Sequence, residues 1–111
     1  VEGGFNGLLL ESIDETLTAL LSRGVVDSLY LHLQTVHSIS RDEVPSKLGI
    51  SVSILEGVFG VKGSRTICKA IARNLYTKLG LEFFDFPGRS FLEYVERAKI
   101  KFKKNQGDSQ L

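Results

Sequence analysis

The sequence predicts an all-α protein, a compact bundle of five or six helices in a single domain. Three observations carry this. Apolar residues recur at three- and four-residue spacing through most of the chain, the period that gathers them on one face of a helix. Ser-x-x-Glu pairs at Ser40/Glu43, Ser53/Glu56 and Ser90/Glu93 have the spacing of capping boxes, in which each side chain satisfies an amide the helix leaves free. Alternating apolar–polar runs, the mark of a strand, are few and short.

The elements follow in order. Leu10, Ile13, Leu17, Leu20 and Leu21 share a face and predict a helix over 8–22, with Glu11, Asp14 and Glu15 on its other side and Gly24 as the stop. Val25, Leu29, Leu33 and Val36 predict a second helix over 25–37. Short helices are expected near 41–48 and 52–59, after which Gly60 and Gly63 break the chain. The clearest helix covers 64–79: Ile67, Cys68, Ile71, Leu75 and Leu79 make one face, and Gly80 ends it. An aromatic connector, Leu81 to Phe86, stops at Pro87-Gly88. The last helix starts at Ser90 and buries Phe91, Val95, Ala98 and Phe102, while Lys99, Lys101, Lys103 and Lys104 suit its negative end. Residues 1–7 are expected to be a flexible lead-in, 8–104 the helical domain and 105–111 a disordered tail. Leu17, Leu29, Leu33, Leu55, Phe59, Ile71, Leu75 and Phe91 are expected to be buried together.

Composition narrows the function classes. A chain of 111 residues can bury one core. Its formal charge of +1 gives no global electrostatic case for nucleic acid or an anionic membrane. No uninterrupted apolar run approaches the ~20 residues of a membrane span, so a membrane is not among the expected partners. One cysteine, Cys68, excludes an internal disulfide and fits a reducing cytoplasm, the expected location. The chain has no methionine and begins Val1-Glu2-Gly3-Gly4, as expected of a processed end, a cloning remnant or an excised piece of a longer protein.

Residues 40–60 have the outline of a DNA-reading helix-turn-helix: Ser40 to Lys47 as the first helix, then Leu48-Gly49-Ile50-Ser51 as the turn. Its second half fails. Val52 to Phe59 offers one acid, Glu56, and no Arg, Lys, Asn or Gln to read base edges. The segment is instead expected to dock Val52, Leu55 and Phe59 into the core, with no cationic surface there.

The order of pieces resembles a family of small helical archaeal domains, the Nitrosopumilus output-type domains, found alone or joined to signalling modules. The likeness runs through Glu11 to Leu17, Asp27 to Leu33, Glu43-Val44-Pro45, Leu55 to Gly60 and Ala70 to Leu81, and covers about residues 10–100. It rests on apolar spacing and a few polar anchors. It implies a helical fold and a signalling-output role, and carries over no site residue. The departure is Leu48 to Ser51, where the family implies a more acidic, aromatic-containing connection.

Chemistry-bearing groups are sparse. His32 and His37 are five apart, expected on different sides of their helix, and metal pairs on a helix want three or four. Cys68 reads as a small buried side chain. Gly60-Val61-Lys62-Gly63-Ser64-Arg65 is not a nucleotide loop, because Lys62 precedes Gly63 and no strand precedes either. With no acid–base pair, no metal set and no cofactor loop, the chain reads as a non-enzyme that takes no cofactor. The best binding hint is a basic face: Lys62, Arg65, Lys69 and Arg73 fall within about 80° of arc on the 64–79 helix. Such a face can meet the acids Glu11, Asp14 and Glu15 in the same chain or in a partner. With Phe84 or Phe86 as an apolar anchor, these cations form the candidate interaction face of a regulatory or protein-interaction module, joined to a protein partner or to other domains of a longer chain. The alternative is a nucleic-acid-binding domain using that face or a degenerate helix-turn-helix at 40–60.

Overall fold

α3, Leu48–Leu79, is the central element of the computed structural model, which describes residues 4–109. It packs on α1 (Gly4–Leu20) along one side and on α4 (Phe91–Ser109) along another. α2 (Arg23–His37) lies on α1, and a 3-10 helix (Arg41–Lys47) is wedged among α1, α2 and α3. The fold is all-α around one core, with no strand among the described residues.

Among the described residues the α-helices number four, not five or six. The two helices expected at 52–59 and 64–79 are arms of α3, bent at Gly60, whose φ of 80° and ψ of 167° are non-helical. Gly63, expected to break the chain, is helical. Residues 41–47 form a 3-10 rather than an α-helix. Pro45 lies inside it and has no N–H for an α-helical bond, so the tighter, shorter helix suits it. α1 begins at Gly4, within the expected lead-in, and α4 runs to Ser109, within the expected tail. Residues 1–3 and 110–111 of those two segments lie outside the described residues.

Two of the three expected capping boxes form. Ser90 N–H donates to Glu93 Oε1 at 2.9 Å, and Glu93 N–H donates back to Ser90 Oγ at 3.1 Å. These bonds hold the Glu93 carboxyl below the usual range, the Ser90 backbone N–H contributing most. Ser40 N–H likewise donates to Glu43 Oε1 at 3.0 Å. Ser53 does not cap: it lies inside α3 and donates to Gly49 O at 3.2 Å. Gly80 ends α3 as expected, at φ 72°, with its own N–H on Thr77 O and the Leu81 N–H on Tyr76 O.

Of the eight residues expected in the core, Leu17, Leu29, Leu33, Ile71 and Leu75 are fully buried, and Leu55, Phe59 and Phe91 are half-buried against them. α2 shows a shift in register. Val25 and Val36, expected inside, are 46% and 61% exposed, and Val26 is fully buried instead. The cause is where α2 starts and stops. Ser22 caps it, accepting from the Val25 N–H at 3.3 Å, and Gly24 sits in its first turn. At the other end Ser38 adopts left-handed φ and ψ of 56° and 34°, which turns the chain so that Ile39 is buried in place of Val36. Ser38→Gly is expected to raise stability by about 0.5–1 kcal/mol in urea unfolding, since glycine takes this conformation without the Cβ penalty.

The buried face of α1 is also rotated. Phe5, Leu9, Ser12, Ile13, Thr16 and Leu17 face inward while Leu20 is half exposed. Polar Ser12 and Thr16 are tolerated because both are bonded: Ser12 Oγ donates to Leu8 O at 2.9 Å, and Thr16 Oγ1 accepts from Asn74 Nδ2 at 3.3 Å.

At the α1–α2–3-10 junction, Asp14 faces Arg23 at 3.4 Å and Arg41 at 3.7 Å, and the Arg41 guanidinium lies 5.6 Å from the centre of the Tyr30 ring. The buried Tyr30 hydroxyl has no hydrogen bond of normal geometry. Burial first, and the Asp14 carboxylate second, push its ionisation up to about 12. A raised folded-state value favours the neutral phenol, so its contribution is present below the unfolded value near 10 and is lost as pH rises towards 12. Tyr30→Phe is expected to be neutral or stabilising by about 1 kcal/mol at pH 7. It should also flatten the fall in stability between pH 10 and 12, read from urea midpoints across that range.

Candidate functional site

The connector between α3 and α4 is organised by Tyr94. Its hydroxyl accepts the Phe86 N–H at 2.8 Å, and its backbone carbonyl accepts the Tyr76 hydroxyl at 2.7 Å. Phe83 packs between the two tyrosines, 5.4 Å from Tyr76 and 5.0 Å from Tyr94 between ring centres. With the Phe86 backbone tied to Tyr94 and Phe83 turned inward, two aromatics are left outside. Phe84 is 58% and Phe86 46% exposed, their ring centres 6.3 Å apart.

An open cleft of about 680 Å³ runs between α3 and residues 85–92. Gly49, Val52, Ser53 and Glu56 line it from the first arm of α3, and Val61, Ser64, Arg65, Cys68 and Lys69 from the second. Phe86, Arg89, Phe91 and Tyr94 close the opposite wall. The bend at Gly60 and the capped start of α4 therefore shape the cleft, because they hold its two walls apart.

The candidate face is only partly a free basic surface. Arg65, Lys69 and Phe86 line the cleft; Lys62, Arg73 and Phe84 do not. Lys69 Nζ donates to Asp85 Oδ2 at 2.9 Å, a strut across the cleft. Arg73 stacks 5.1 Å from the centre of the Phe83 ring. Lys62 and Arg65 are exposed and make no ion pair among the described residues. The α1 acids meet other cations than these four. Lys78 Nζ sits 2.6 Å from Glu11 Oε1 and 3.0 Å from Glu15 Oε1, and Asp14 meets Arg23 and Arg41. Lys78 and Asn74 together hold the Glu15 carboxyl below its ordinary range. These acids are engaged within the chain.

Arg89 is the cleft cation that sequence reasoning missed. Its guanidinium stacks 4.1 Å from the centre of Phe86 and 5.4 Å from that of Tyr94. The available signal was position: Arg89 directly precedes the Ser90 cap, so it had to lie beside the aromatic connector.

The cleft holds no activated nucleophile. Cys68 is 4% exposed, and burial pushes its thiol pKa up. A raised value keeps it as the weakly nucleophilic thiol. The two histidines are on α2, where the cleft has no wall. They do meet, ring centres 5.3 Å apart and edge to face, although their spacing places them on different sides. His37 is the last residue of α2, so no following turn confines its ring. No group of three or more His, Cys, Asp or Glu side chains able to hold a metal occurs among the described residues.

The helix-turn-helix outline is not formed. Residues 48–51, expected as the turn, are the first turn of α3, and the 3-10 helix joins it through the single residue Lys47 at φ −120° and ψ 43°. A reading motif needs a turn of about three or four residues to set its helices at an angle. Ser51, which would project outward in a reading head, is buried and donates to Lys47 O at 2.9 Å. Val52, Leu55 and Phe59 pack against the core.

The helical run Arg41–Leu79 is long and apolar enough to cross a membrane by length and composition alone. The core helix of a globular protein meets the same criterion.

The chain matches no protein-family model, no curated protein and no solved structure.

Proposed function

We propose that this chain is a non-enzymatic docking module, a regulatory or signalling-output domain of the cytoplasm, that takes an acidic, apolar-anchored segment of a protein partner at its cleft. The observation that carries this is Phe86, tied to the tyrosine scaffold and lining the cleft with Arg65 and the stacked Arg89, with the exposed Phe84 ring 6.3 Å beyond it. Exposed aromatics on a rigid support lose little freedom on binding, and aromatic and Arg residues dominate contact energies at protein interfaces. The flanking cations favour an acidic partner and speed encounter more than they add affinity. The likeness to archaeal output-type domains supports the signalling part of the reading.

The test is binding to the other domains of a parent chain, or to co-purified partners, by Phe86→Ala/Arg65→Glu. Both side chains are exposed, so the fold should persist. Partner affinity should fall at least about tenfold, as for loss of an aromatic anchor. Unchanged binding would remove this face. Salt-sensitive binding to random DNA or RNA, lost in the same variant, would favour the nucleic-acid reading, in which Lys62 and Arg65 contact phosphates.

A further inference from the structure

The first arm of α3 carries apolar side chains that the fold leaves exposed and the cleft does not use. Ile50, Ile54 and Val58 follow one another at four-residue steps along it, Ile54 partly buried against the core and the other two outside. Ile50 is 55% and Val58 54% exposed, and none of the three lines the cleft. From Leu48 to the Gly60 bend only Leu48 and Ser51 are fully buried, although the arm is largely apolar.

Charge placement says what covers this face. Between Leu48 and Val61 the one charged residue is Glu56, and it is turned into the cleft. Cations stand at both ends: Lys47, in a loose exposed pair with Glu43 at 3.6 Å, and Lys62, exposed. Ser51 is buried and Ser53 lines the cleft, so neither adds polarity to this face. An uncharged helix face ending in lysines matches the boundary between acyl chains and anionic headgroups. Length decides the geometry. The arm from Leu48 to the Gly60 bend is about 18 Å long, short of the ~30 Å hydrocarbon core, so it lies in one leaflet and does not span. A second copy is the weaker occupant. A face about 18 Å by 10 Å offers about 200 Å², below the ~800 Å² per partner of a stable interface.

We propose that this arm is a contact for an anionic lipid surface, with Ile50 and Val58 entering the headgroup–acyl boundary and Lys47 and Lys62 meeting headgroups. The site is separate from the cleft and independent of the docking function proposed for it.

The experiment is co-sedimentation of the full chain with vesicles of phosphatidylcholine and phosphatidylglycerol in equal parts, and with phosphatidylcholine alone. The chain should sediment with the anionic vesicles. Ile50→Asp/Val58→Asp should weaken this by at least about tenfold, two half-exposed apolar side chains being lost from the contact. Circular dichroism and thermal unfolding should show that variant folded. Lys62→Glu should reduce binding to anionic vesicles and leave the weaker binding to neutral ones unchanged. Three results would overturn the proposal: no sedimentation with either vesicle, sedimentation unaffected by the two aspartates, or equal binding to neutral and anionic vesicles. So would a dimer in sedimentation velocity that the two aspartates dissociate, with no vesicle binding. That outcome would make a second copy the occupant.

Discussion

Leu75→Ala is expected to lower the stability of this protein by about 2–5 kcal/mol, the range for truncating a leucine in a packed core. Leu75 is 0% exposed and lies on the face of α3 that also buries Ile67, Ile71 and Ala72. Two neighbours of α3, α1 and α4, contribute Leu9, Ile13 and Leu17, and Val95 and Ala98, to the same core. A cavity there removes contacts from a core that the helices share, and rigid neighbours can only partly close it. Urea unfolding followed by helical signal measures the loss. Leu31→Ala, at a side chain 61% exposed, is the control and should fall within about 0.5 kcal/mol of the parent. A loss below about 1 kcal/mol at Leu75 would mean that its side chain is not in the core.

Two glycine substitutions three residues apart should have opposite signs. At Gly60, with φ 80° and ψ 167°, the backbone occupies a region essentially reserved for glycine. A Cβ there would meet nothing within 4 Å, so the cost of Gly60→Ala is conformational and not a clash. It is expected at about 1–3 kcal/mol. Gly57 is helical, and a Cβ there also meets nothing within 4 Å. Gly57→Ala should therefore stabilise by up to about 1 kcal/mol through helix propensity. Equal effects at the two positions would show that Gly60 is not the bend. Because the bend shapes the cleft, Gly60→Ala should also weaken partner binding beyond its effect on the folded fraction, whereas Gly57→Ala should not.

The face of the 64–79 helix could be read directly, because its apolar residues keep strict period and Gly80 ends it without ambiguity. The two ends of α2 could not. Val25 and Val26 are adjacent and chemically equal, and only the cap at Ser22 and the left-handed Ser38 decide which valine faces in and that Ile39 replaces Val36. The bend in α3 was half legible. Gly60 and Gly63 are equivalent as breakers on paper, and packing left Gly60 bent while Gly63 stayed helical.

The candidate site divides in the same way. Cations spaced along one helix face identify themselves by arithmetic, so Lys62, Arg65, Lys69 and Arg73 were found. Whether a cation is free depends on partners far away in sequence, such as Asp85 for Lys69, and on which lysine reaches the α1 acids, here Lys78. Arg89 and Tyr94 entered the cleft only once α4 folded back on α3.

By itself, then, the sequence determined that the chain is helical, where α3 and α4 turn their apolar faces, and which residues cap α4 and close α3. Those features depend on local period and on hydrogen bonds three or four residues apart. The number of helices, the inward valine of α2, the cleft and the uncovered arm were decided only by tertiary structure. Each depends on which of several locally equal choices buries more apolar surface against a distant element, and no local pattern records that competition.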